Sequence, residues 1–275
     1  MSRSILVTGC SSGIGRHCAI RLKEEGWRVF ATARKDDDLA VLAELGLEPV
    51  YLELADGNSI EAAVDTVLAA TNGKLDAVFN NAAYGQPGAI EDLKPDVLRE
   101  QFEVNLFGPH QLIRRIVPVM RQQGHGRIIH CSSILGIVPY RWRGAYNSSK
   151  HALEGLFLTH RLELMGTGIH VSMIEPGPIV SRFGANALEK ARANIDVENS
   201  VHREIYRHHL GKLESGGGVN RFRLEPEAVY QKLVHALTAN RPRAQYPVTF
   251  PAALMLLVRS ITPQWLMDRI LMGND

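Results

Sequence analysis

A glycine-rich turn near the start of the chain limits the possible folds more than any other feature. The segment Thr8–Gly15 has the spacing GxxxGxG, follows the apolar run Ile5–Val7, and precedes apolar residues at helical spacing, Ile14, Cys18 and Leu22. Strand, glycine turn and helix in this order predict a βα unit whose backbone comes close to a pyrophosphate, where amides at the helix N-terminus meet the negative charge. A tight βα turn without a ligand is the alternative interpretation.

Short apolar runs alternate with helical patterns along the first two thirds of the chain. Further strands are predicted at Arg28–Ala33, Val50–Leu54, Leu75–Asn80, Arg127–Cys131, Ile169–Ile174 and, as an edge strand, Pro247–Thr249. A long helical region from Pro95 is interrupted near Gly108 and Pro109. The alternation predicts an α/β fold, a Rossmann-type doubly wound parallel sheet of about seven strands with helices on both faces and a small helical lid.

We interpret residues 1–275 as a single domain. The polar stretch 181–222, which contains the glycine run 216–218, is predicted to be a substrate loop or lid insertion. Residues 251–275 are predicted to form an amphipathic C-terminal tail.

Composition and charge exclude several classes of function. The charges are scattered, with 31 Lys and Arg against 29 Asp and Glu, so there is no basic stripe for nucleic acid. The apolar stretch Pro251–Val258 is far shorter than the roughly 20 residues of a membrane-spanning helix. The first residues lack a secretory signal, and the cysteines and histidines show neither disulfide nor metal-ligand spacing. We therefore expect a cytoplasmic protein with reduced thiols, no metal and no transmembrane segment.

The residues after the second predicted strand bear on the choice of dinucleotide. A carboxylate that binds the ribose 2′-hydroxyl is common there, but this chain has Ala33 followed by Arg34 and Lys35. A guanidinium attracts a 2′-phosphate, and Ser12 in the glycine turn is a further donor, so NADP(H) is favoured over NAD(H). The acidic run Asp36–Asp38 competes for the ribose, but it is better explained as charge at the N-terminus of the next helix.

Tyr146 and Lys150 are four residues apart in a predicted helix and therefore share one face. A nearby cation favours the phenolate and brings the pKa of a tyrosine towards neutrality, as acid–base catalysis requires. Ser133 follows the fifth predicted strand, and ligands of open α/β sheets bind beyond the carboxyl ends of strands. The tyrosine and lysine alone are typical of a helix surface, but their combination with the serine and the glycine turn indicates an active site.

With these residues, the chain resembles the short-chain dehydrogenase/reductase family, in its compact single-domain branch, over roughly residues 3–185. The shared features are the TGxxxGIG turn, Asn80-Asn81-Ala82, Asn105, Ser133, Tyr146-x-x-x-Lys150 and Pro176-Gly177. The stretches Thr8–Gly15 and Ala31–Arg34 are particularly similar to 17β-hydroxysteroid dehydrogenase-like and aldehyde- or retinal-reducing members, which also implies NADP(H).

The resemblance implies a role for each matching residue. Tyr146 would be the general acid–base, Lys150 would bind the nicotinamide ribose and lower the pKa of the tyrosine, and Ser133 would position the substrate carbonyl. Asn105 would hold a water that continues a proton relay to Lys150. The cofactor residues would be Gly9, Ser11, Ser12, Gly13, Ile14, Gly15, Arg34, Glu53, Leu54, Asn81, Ala82, Tyr146, Lys150, Pro176, Gly177 and Ile179.

Two residues depart from the family pattern. Ala83 replaces the last glycine of the NNAG motif, which matters only if the backbone φ angle there is positive. Glu53 replaces the aspartate that contacts adenine, which keeps the acceptor but lengthens the side chain.

The predicted function is an NADP(H)-dependent oxidoreductase that interconverts carbonyl and alcohol on an apolar aldehyde, ketone, retinoid or steroid-like substrate. Val138, Pro139, Tyr140 and Trp142 would form an apolar wall, with Arg141 and Arg143 at its rim. Phe183 and the tail residues Leu254, Leu257, Trp265 and Leu266 would either close over the substrate or pack elsewhere. The alternatives are a non-catalytic NADP(H) sensor and a sugar-nucleotide epimerase or dehydratase. The resemblance suggests a homodimer or homotetramer.

Overall fold

The computed structural model describes residues 2–214 and 222–272, so the glycine run 216–218 lies outside the described residues. The strands within that part are β1 (Ser4–Val7), β2 (Arg28–Ala33), β3 (Glu48–Tyr51), β4 (Ala77–Asn80), β5 (Gly126–Cys131), β6 (Ile169–Glu175) and β7 (Gln245–Pro247). They form one sheet in the order β3-β2-β1-β4-β5-β6-β7, and every neighbouring pair is parallel. The predicted Rossmann-type fold is confirmed.

Helices connect the strands and cover both faces of the sheet. The α-helices are α1 (Gly13–Glu24), α2 (Asp36–Glu44), α3 (Gly57–Ala70), α4 (Pro95–Phe102), α5 (Gly108–Gln123), α6 (Gly144–Glu163), α7 (Phe183–Asn194), α8 (Arg203–Glu214), α9 (Glu227–Thr238), α10 (Phe250–Ile261) and α11 (Gln264–Met272). Side chains of β1 alternate between two cores: Ile5 and Val7 pack with α1 and α9, whereas Leu6 packs with α3 and α5. The sheet is therefore buried on both faces, which explains the nearly continuous apolar strands.

Two strand positions differ from the prediction. β3 covers Glu48–Tyr51 and not Val50–Leu54, because its last residue pairs with Ala33, where β2 also ends. β7 covers Gln245–Pro247 and not Pro247–Thr249. Thr249 instead begins the next helix, since its hydroxyl accepts a hydrogen bond from the amide of Ala252 at 3.3 Å.

The long helical region is interrupted by a π-helical turn, Glu103–Phe107, that lies between α4 and α5 and ends just before the predicted break. Gly108 follows it inside the helix, where an added Cβ would lie 2.8 Å from the Cβ of Leu54. The glycine is therefore required for close packing and does not itself break the helix.

The segment after β6 contains α7 and α8, and Leu224 forms an isolated parallel bridge with Ile179, outside the sheet. The C-terminal helices α10 and α11 pack against the loop after β5, where Met267 is buried with Ile137 and Val138. No helix in the described ranges is long and apolar enough to span a membrane.

Candidate active site

The glycine turn between β1 and α1 depends on two close backbone approaches. Gly9 has a φ angle of +73°, and a Cβ there would lie 2.8 Å from the Cα of Ala82 at the end of β4. A Cβ on Gly15 would overlap the carbonyl oxygen of Gly9 and lie 2.6 Å from Nδ2 of Asn81. Only residues without a side chain fit both positions, so the turn brings the start of α1 directly against the end of β4.

Hydrogen bonds from neighbouring strands hold this turn in place. The Thr8 hydroxyl accepts from the amides of Asn81 and Ala82 at 3.0 and 2.9 Å, and Asn81 Nδ2 donates to the Thr8 carbonyl at 2.9 Å. On the other side, the Gly9 amide donates to the Thr32 hydroxyl at 3.2 Å. The hydrogen bonds of Asn81 and Ala82 thus hold the turn in position.

The N-terminus of α1 has the properties of an anion-binding site. Its N-cap residue, Ser12, makes no side-chain capping bond, and the first turn has no acidic residue. The amides of the first turn and the positive end of the helix dipole are therefore not neutralised by the helix itself. The cradle and its donors fit the pyrophosphate of a dinucleotide.

Two residues at the expected ribose end form an ion pair in the structure. Arg34 donates to Glu53 Oε2 at 3.0 Å, and its side chain is 66% exposed. The other carboxylate oxygen of Glu53 accepts from the amide of Ala55 at 3.1 Å. The acidic run Asp36–Asp38 forms the first turn of α2, as expected from the dipole argument.

The structure brings Ser133, Tyr146 and Lys150 together beyond the carboxyl end of β5, and all three are buried. The Ser133 hydroxyl lies close enough to the Tyr146 hydroxyl to lower its pKa. Lys150 Nζ donates to the carbonyl of Cys131 at 2.7 Å and lies 5.7 Å from the centre of the Tyr146 ring. The helical spacing of the tyrosine and lysine and the position of β5 account for this arrangement.

The electrostatics of Tyr146 differ from the expectation based on Lys150. Burial raises the pKa of Tyr146 and Cys131 adds to this, whereas the Ser133 hydroxyl and the Arg143 charge lower it. Burial also lowers the pKa of Lys150 itself, and its ammonium donates to the Cys131 carbonyl. The cation that lowers the pKa of the tyrosine here is therefore Arg143, and the expected lowering by Lys150 stays a prediction for the cofactor-bound enzyme.

Asn105 lies in the π-helical turn and is buried. Its Nδ2 donates to the carbonyl of Tyr84 at 3.0 Å and to the hydroxyl of Ser149 at 3.1 Å, while Oδ1 accepts from the amide of Tyr84 at 3.2 Å. π-helical turns in α-helices are frequent at functional sites. Here the turn fixes the loop after β4 and α6 relative to each other beside Tyr146.

Ala83, the departure in the NNAG motif, carries its methyl group without strain. Among the described non-glycine residues only Asn72 and Trp142 have a positive φ angle. The alanine is therefore compatible with the family's backbone at this position.

Phe183 covers Tyr146 from the segment after β6. Their rings are 5.2 Å apart, edge to face, and a Cβ on Gly85 would lie 2.8 Å from Phe183. The tail does not take part: its outward face leaves Leu257 and Trp265 each 61% exposed, while its inward face packs on the loop after β5. Of the predicted apolar closure, only the phenylalanine lies over the tyrosine.

The remaining cofactor candidates lie around the same crevice. Ile134 donates its amide to the Pro176 carbonyl at 2.9 Å, and Gly177 packs against buried Thr249. Ile179 packs on the core that contains α1. Leu54 is buried beneath α3.

The sequence did not single out two residues at the glycine turn. Arg16 donates Nε to the Cys10 carbonyl at 3.3 Å, donates to the Ser11 carbonyl, and lies 3.8 Å from Asp38. Ser181 is the nearest neighbour of Gly13, 3.1 Å from the position of an added Cβ. Its only sequence signal was its place five residues after Pro176, because the contact joins distant parts of the chain.

Comparison with known proteins agrees with this geometry. Residues 3–192 match the family model described as short chain dehydrogenase. The chain belongs to this family. It is 38% identical to an uncharacterized oxidoreductase, YbbO, of Escherichia coli over 99% of this chain and 95% of the relative. It is 31% identical to human 17-beta-hydroxysteroid dehydrogenase type 1, covering 90% of this chain and 78% of the relative.

The fold of this dehydrogenase family member is also similar to that of a crystallised relative. A variant of actinorhodin polyketide ketoreductase with NADPH is 28% identical, with a TM-score of 0.72 over 90% of this chain and 95% of that one. Similar solved structures hold NAD or NADP(H), so the family supports a nicotinamide cofactor without deciding between the two.

Proposed function

We propose that the protein is an NADP(H)-dependent oxidoreductase that interconverts carbonyl and alcohol groups on apolar aldehydes or ketones. The observation that carries the proposal is the cluster of Ser133, Tyr146 and Lys150 in the crevice that the glycine turn opens. The cluster joins a proton-transfer group to a dinucleotide cradle, which a binding protein without catalysis does not require.

The cofactor, when bound, supplies the hydride, and the residues of the chain handle binding and the proton. The amides at the start of α1 would hold the pyrophosphate, with Ser181 facing the same turn. Arg34 would release Glu53 and bind the 2′-phosphate instead. The phosphate carries a higher charge and can accept two parallel hydrogen bonds from the guanidinium.

The proton chemistry belongs to Tyr146. Its hydroxyl, which lies beside that of Ser133, would give its proton to the carbonyl oxygen, and Ser133 would hold that oxygen in line. Lys150 would bind the nicotinamide ribose, and its ammonium would supply the proton that returns the Tyr146 phenolate to the phenol. The side-chain amide of Asn105 is already bonded, so the relay water would be held by main-chain carbonyl groups of its π-helical turn.

The substrate wall is expected to be apolar. Phe183 and Gly85 lie beside Tyr146, and the loop carrying Ile137 and Val138 is fixed by α11. Apolar surface of this kind favours lipophilic aldehydes, ketones, retinoids or steroid-like compounds. Oligomeric state and cytoplasmic location stay predictions of the sequence.

A screen of NADPH and NADH oxidation with aldehydes, ketones, retinoids and steroids tests the proposal, with Tyr146→Phe as the paired variant. We expect reduction with NADPH and a fall in kcat of about 10³-fold in the variant, since general acid–base catalysis contributes about 10²–10⁴-fold. NADPH affinity, measured by fluorescence titration, should be unchanged. NADPH binding without turnover of any carbonyl compound would instead support the sensor hypothesis.

A further inference from the structure

Arg143 has no partner in the described part of the chain. It precedes α6, three residues before Tyr146, and its guanidinium forms no hydrogen bond or ion pair within residues 2–214 and 222–272. Arg28, by contrast, pairs with Glu48 at 2.5 and 2.9 Å, and Arg115 pairs with Asp65 at 2.7 Å. Those pairs lie on the surface, whereas Arg143 is partly buried.

The position of this cation is electrostatically unfavourable within the chain. Burial lowers the pKa of Arg143, which reflects the loss of water around the charge. The residue also stands at the positive end of the α6 dipole, and the first turn of α6 has no acidic residue to balance it. A desolvated arginine without a carboxylate destabilises the folded protein, so its presence calls for a partner from outside the chain.

Arg143 lines a small pocket together with a second cationic side chain, Arg141, and with His209. The rest of the lining is mostly aromatic or apolar and includes Tyr140, Trp142 and Tyr206. The charge of Arg143 acts on the hydroxyl of Tyr146, so the pocket lies within electrostatic reach of the reacting carbonyl.

The backbone before Arg143 is held in a strained conformation. Trp142 has a φ angle of +61°, which is rare for a bulky residue and strains the backbone. The Gly88 amide donates to its carbonyl at 3.0 Å, and its ring lies 5.0 Å from that of His202. Contacts from two other segments therefore fix the direction in which the chain enters α6.

We propose that Arg143 binds an oxoanion of the substrate, so that the preferred substrates are apolar carbonyl compounds that carry a carboxylate, sulfonate or phosphate group. This inference rests on the proposed carbonyl reductase function. The planar guanidinium can bind such a group through two parallel hydrogen bonds, which a single ammonium cannot reproduce. The pocket, with a volume of about 30 Å³, would hold only the anionic group, and the apolar part of the substrate would extend from it towards Tyr146.

The test compares medium-chain γ-oxo and δ-oxo acids with their methyl esters and with the matching alkyl sulfonates and phosphates. kcat/KM is measured with NADPH for wild type, Arg143→Met, Arg143→Lys and, as a control outside the pocket, the exposed Arg99→Met. We expect Arg143→Met to lower the ratio of kcat/KM for anion over ester by about 10- to 100-fold, mainly through KM, as for loss of a charged hydrogen bond. Arg143→Lys should restore part of it, and Arg99→Met should leave the ratio within about twofold.

Other outcomes separate this inference from the proposed function. An unchanged ratio in Arg143→Met, with esters and acids both reduced by wild type, would overturn the oxoanion site and leave the reductase function standing. The same holds if Arg99→Met lowers the ratio equally, or if Arg143→Met only shifts the pH profile of ester reduction, which would indicate tuning of Tyr146. Absence of turnover with every carbonyl compound would remove both. Retained NADPH binding and circular dichroism confirm that each variant is folded.

Discussion

The two sides of the crevice satisfy their polar groups in different ways. On the cofactor side, Thr8, Thr32 and Asn81 are bonded to one another's backbone or to the glycine turn, which is formed largely by main-chain atoms. On the substrate side, Arg143 has no partner among the described residues, and the buried hydroxyl of Tyr84 has no hydrogen-bond partner there either. On the cofactor side the supporting side chains are paired and the main-chain amides of α1 are left for a ligand, whereas the substrate side presents side chains without a partner within the described ranges.

This difference has a physical basis. A dinucleotide is held chiefly by amides and a helix dipole, which backbone geometry supplies, so glycine and close packing are the main requirements. A variable substrate is recognised by side chains on loops, and unpaired groups there cost stability that is recovered only on binding.

The largest expected effect outside Tyr146 is that of Gly15→Ala on the cofactor side. The added Cβ would overlap the carbonyl oxygen of Gly9, which is backbone and cannot rotate away. We expect a loss of about 3 kcal/mol in the free energy of unfolding and NADPH affinity weakened by at least about tenfold. Urea denaturation and fluorescence titration measure the two.

Gly155→Ala is the matched control for this prediction. Gly155 lies within α6, and a Cβ there would meet nothing within 4 Å. The alanine should stabilise the protein by about 0.5–1 kcal/mol through helix propensity and leave NADPH affinity unchanged. Equal behaviour of the two variants would show that the turn tolerates a side chain and that the cofactor side is less rigid than the structure indicates.

Arg34→Asp tests whether the ribose end depends on a side chain. We expect NADPH affinity to fall by about 10- to 100-fold and NADH affinity to change little, because only the 2′-phosphate meets the new carboxylate. Glu53→Gln should instead strengthen NADPH binding a few-fold, since the exposed ion pair with Arg34 no longer competes. If neither variant changes the ratio of NADPH affinity to NADH affinity, Arg34 does not bind the 2′-phosphate.

A buried acidic pair beneath the site makes the stability of the protein depend on pH. Both carboxylate oxygens of Glu175 lack a hydrogen-bond partner among the described residues, and burial, with Glu154 nearby, raises the pKa of Glu175 to about 8. Burial likewise raises the pKa of Glu154 to about 7. The folded state favours the protonated form of Glu175. The contribution of this carboxyl to the free energy of unfolding is therefore fully present below about pH 4.5 and is lost as the pH rises through about 8.

The free energy of unfolding of Glu175→Gln, relative to that of wild type, should therefore rise by about 2 kcal/mol between about pH 5 and about pH 9. Thermal unfolding at each pH measures this difference. Glu189→Gln, an exposed position, is the control and should follow the wild-type pH dependence. A parallel pH dependence of Glu175→Gln and wild type would contradict an uncharged Glu175 in the folded protein.

Much of the fold followed from local patterns. The order of strands and helices, the glycine turn and the shared face of Tyr146 and Lys150 all depend on residues close in sequence. The third strand was displaced by a few residues because its end is set by pairing with β2, which no local pattern contains.

The sequence by itself determined the parallel α/β architecture, the turn at Gly9–Gly15 and the candidate catalytic residues, because spacing and side-chain size act over one or two turns of chain. Only the tertiary structure decided that Arg34 pairs with Glu53, that Ser181 faces the turn, and that Arg143 lacks a partner among the described residues. Such relations join segments far apart in sequence, and their energies depend on burial and distance, which exist only once the chain is folded.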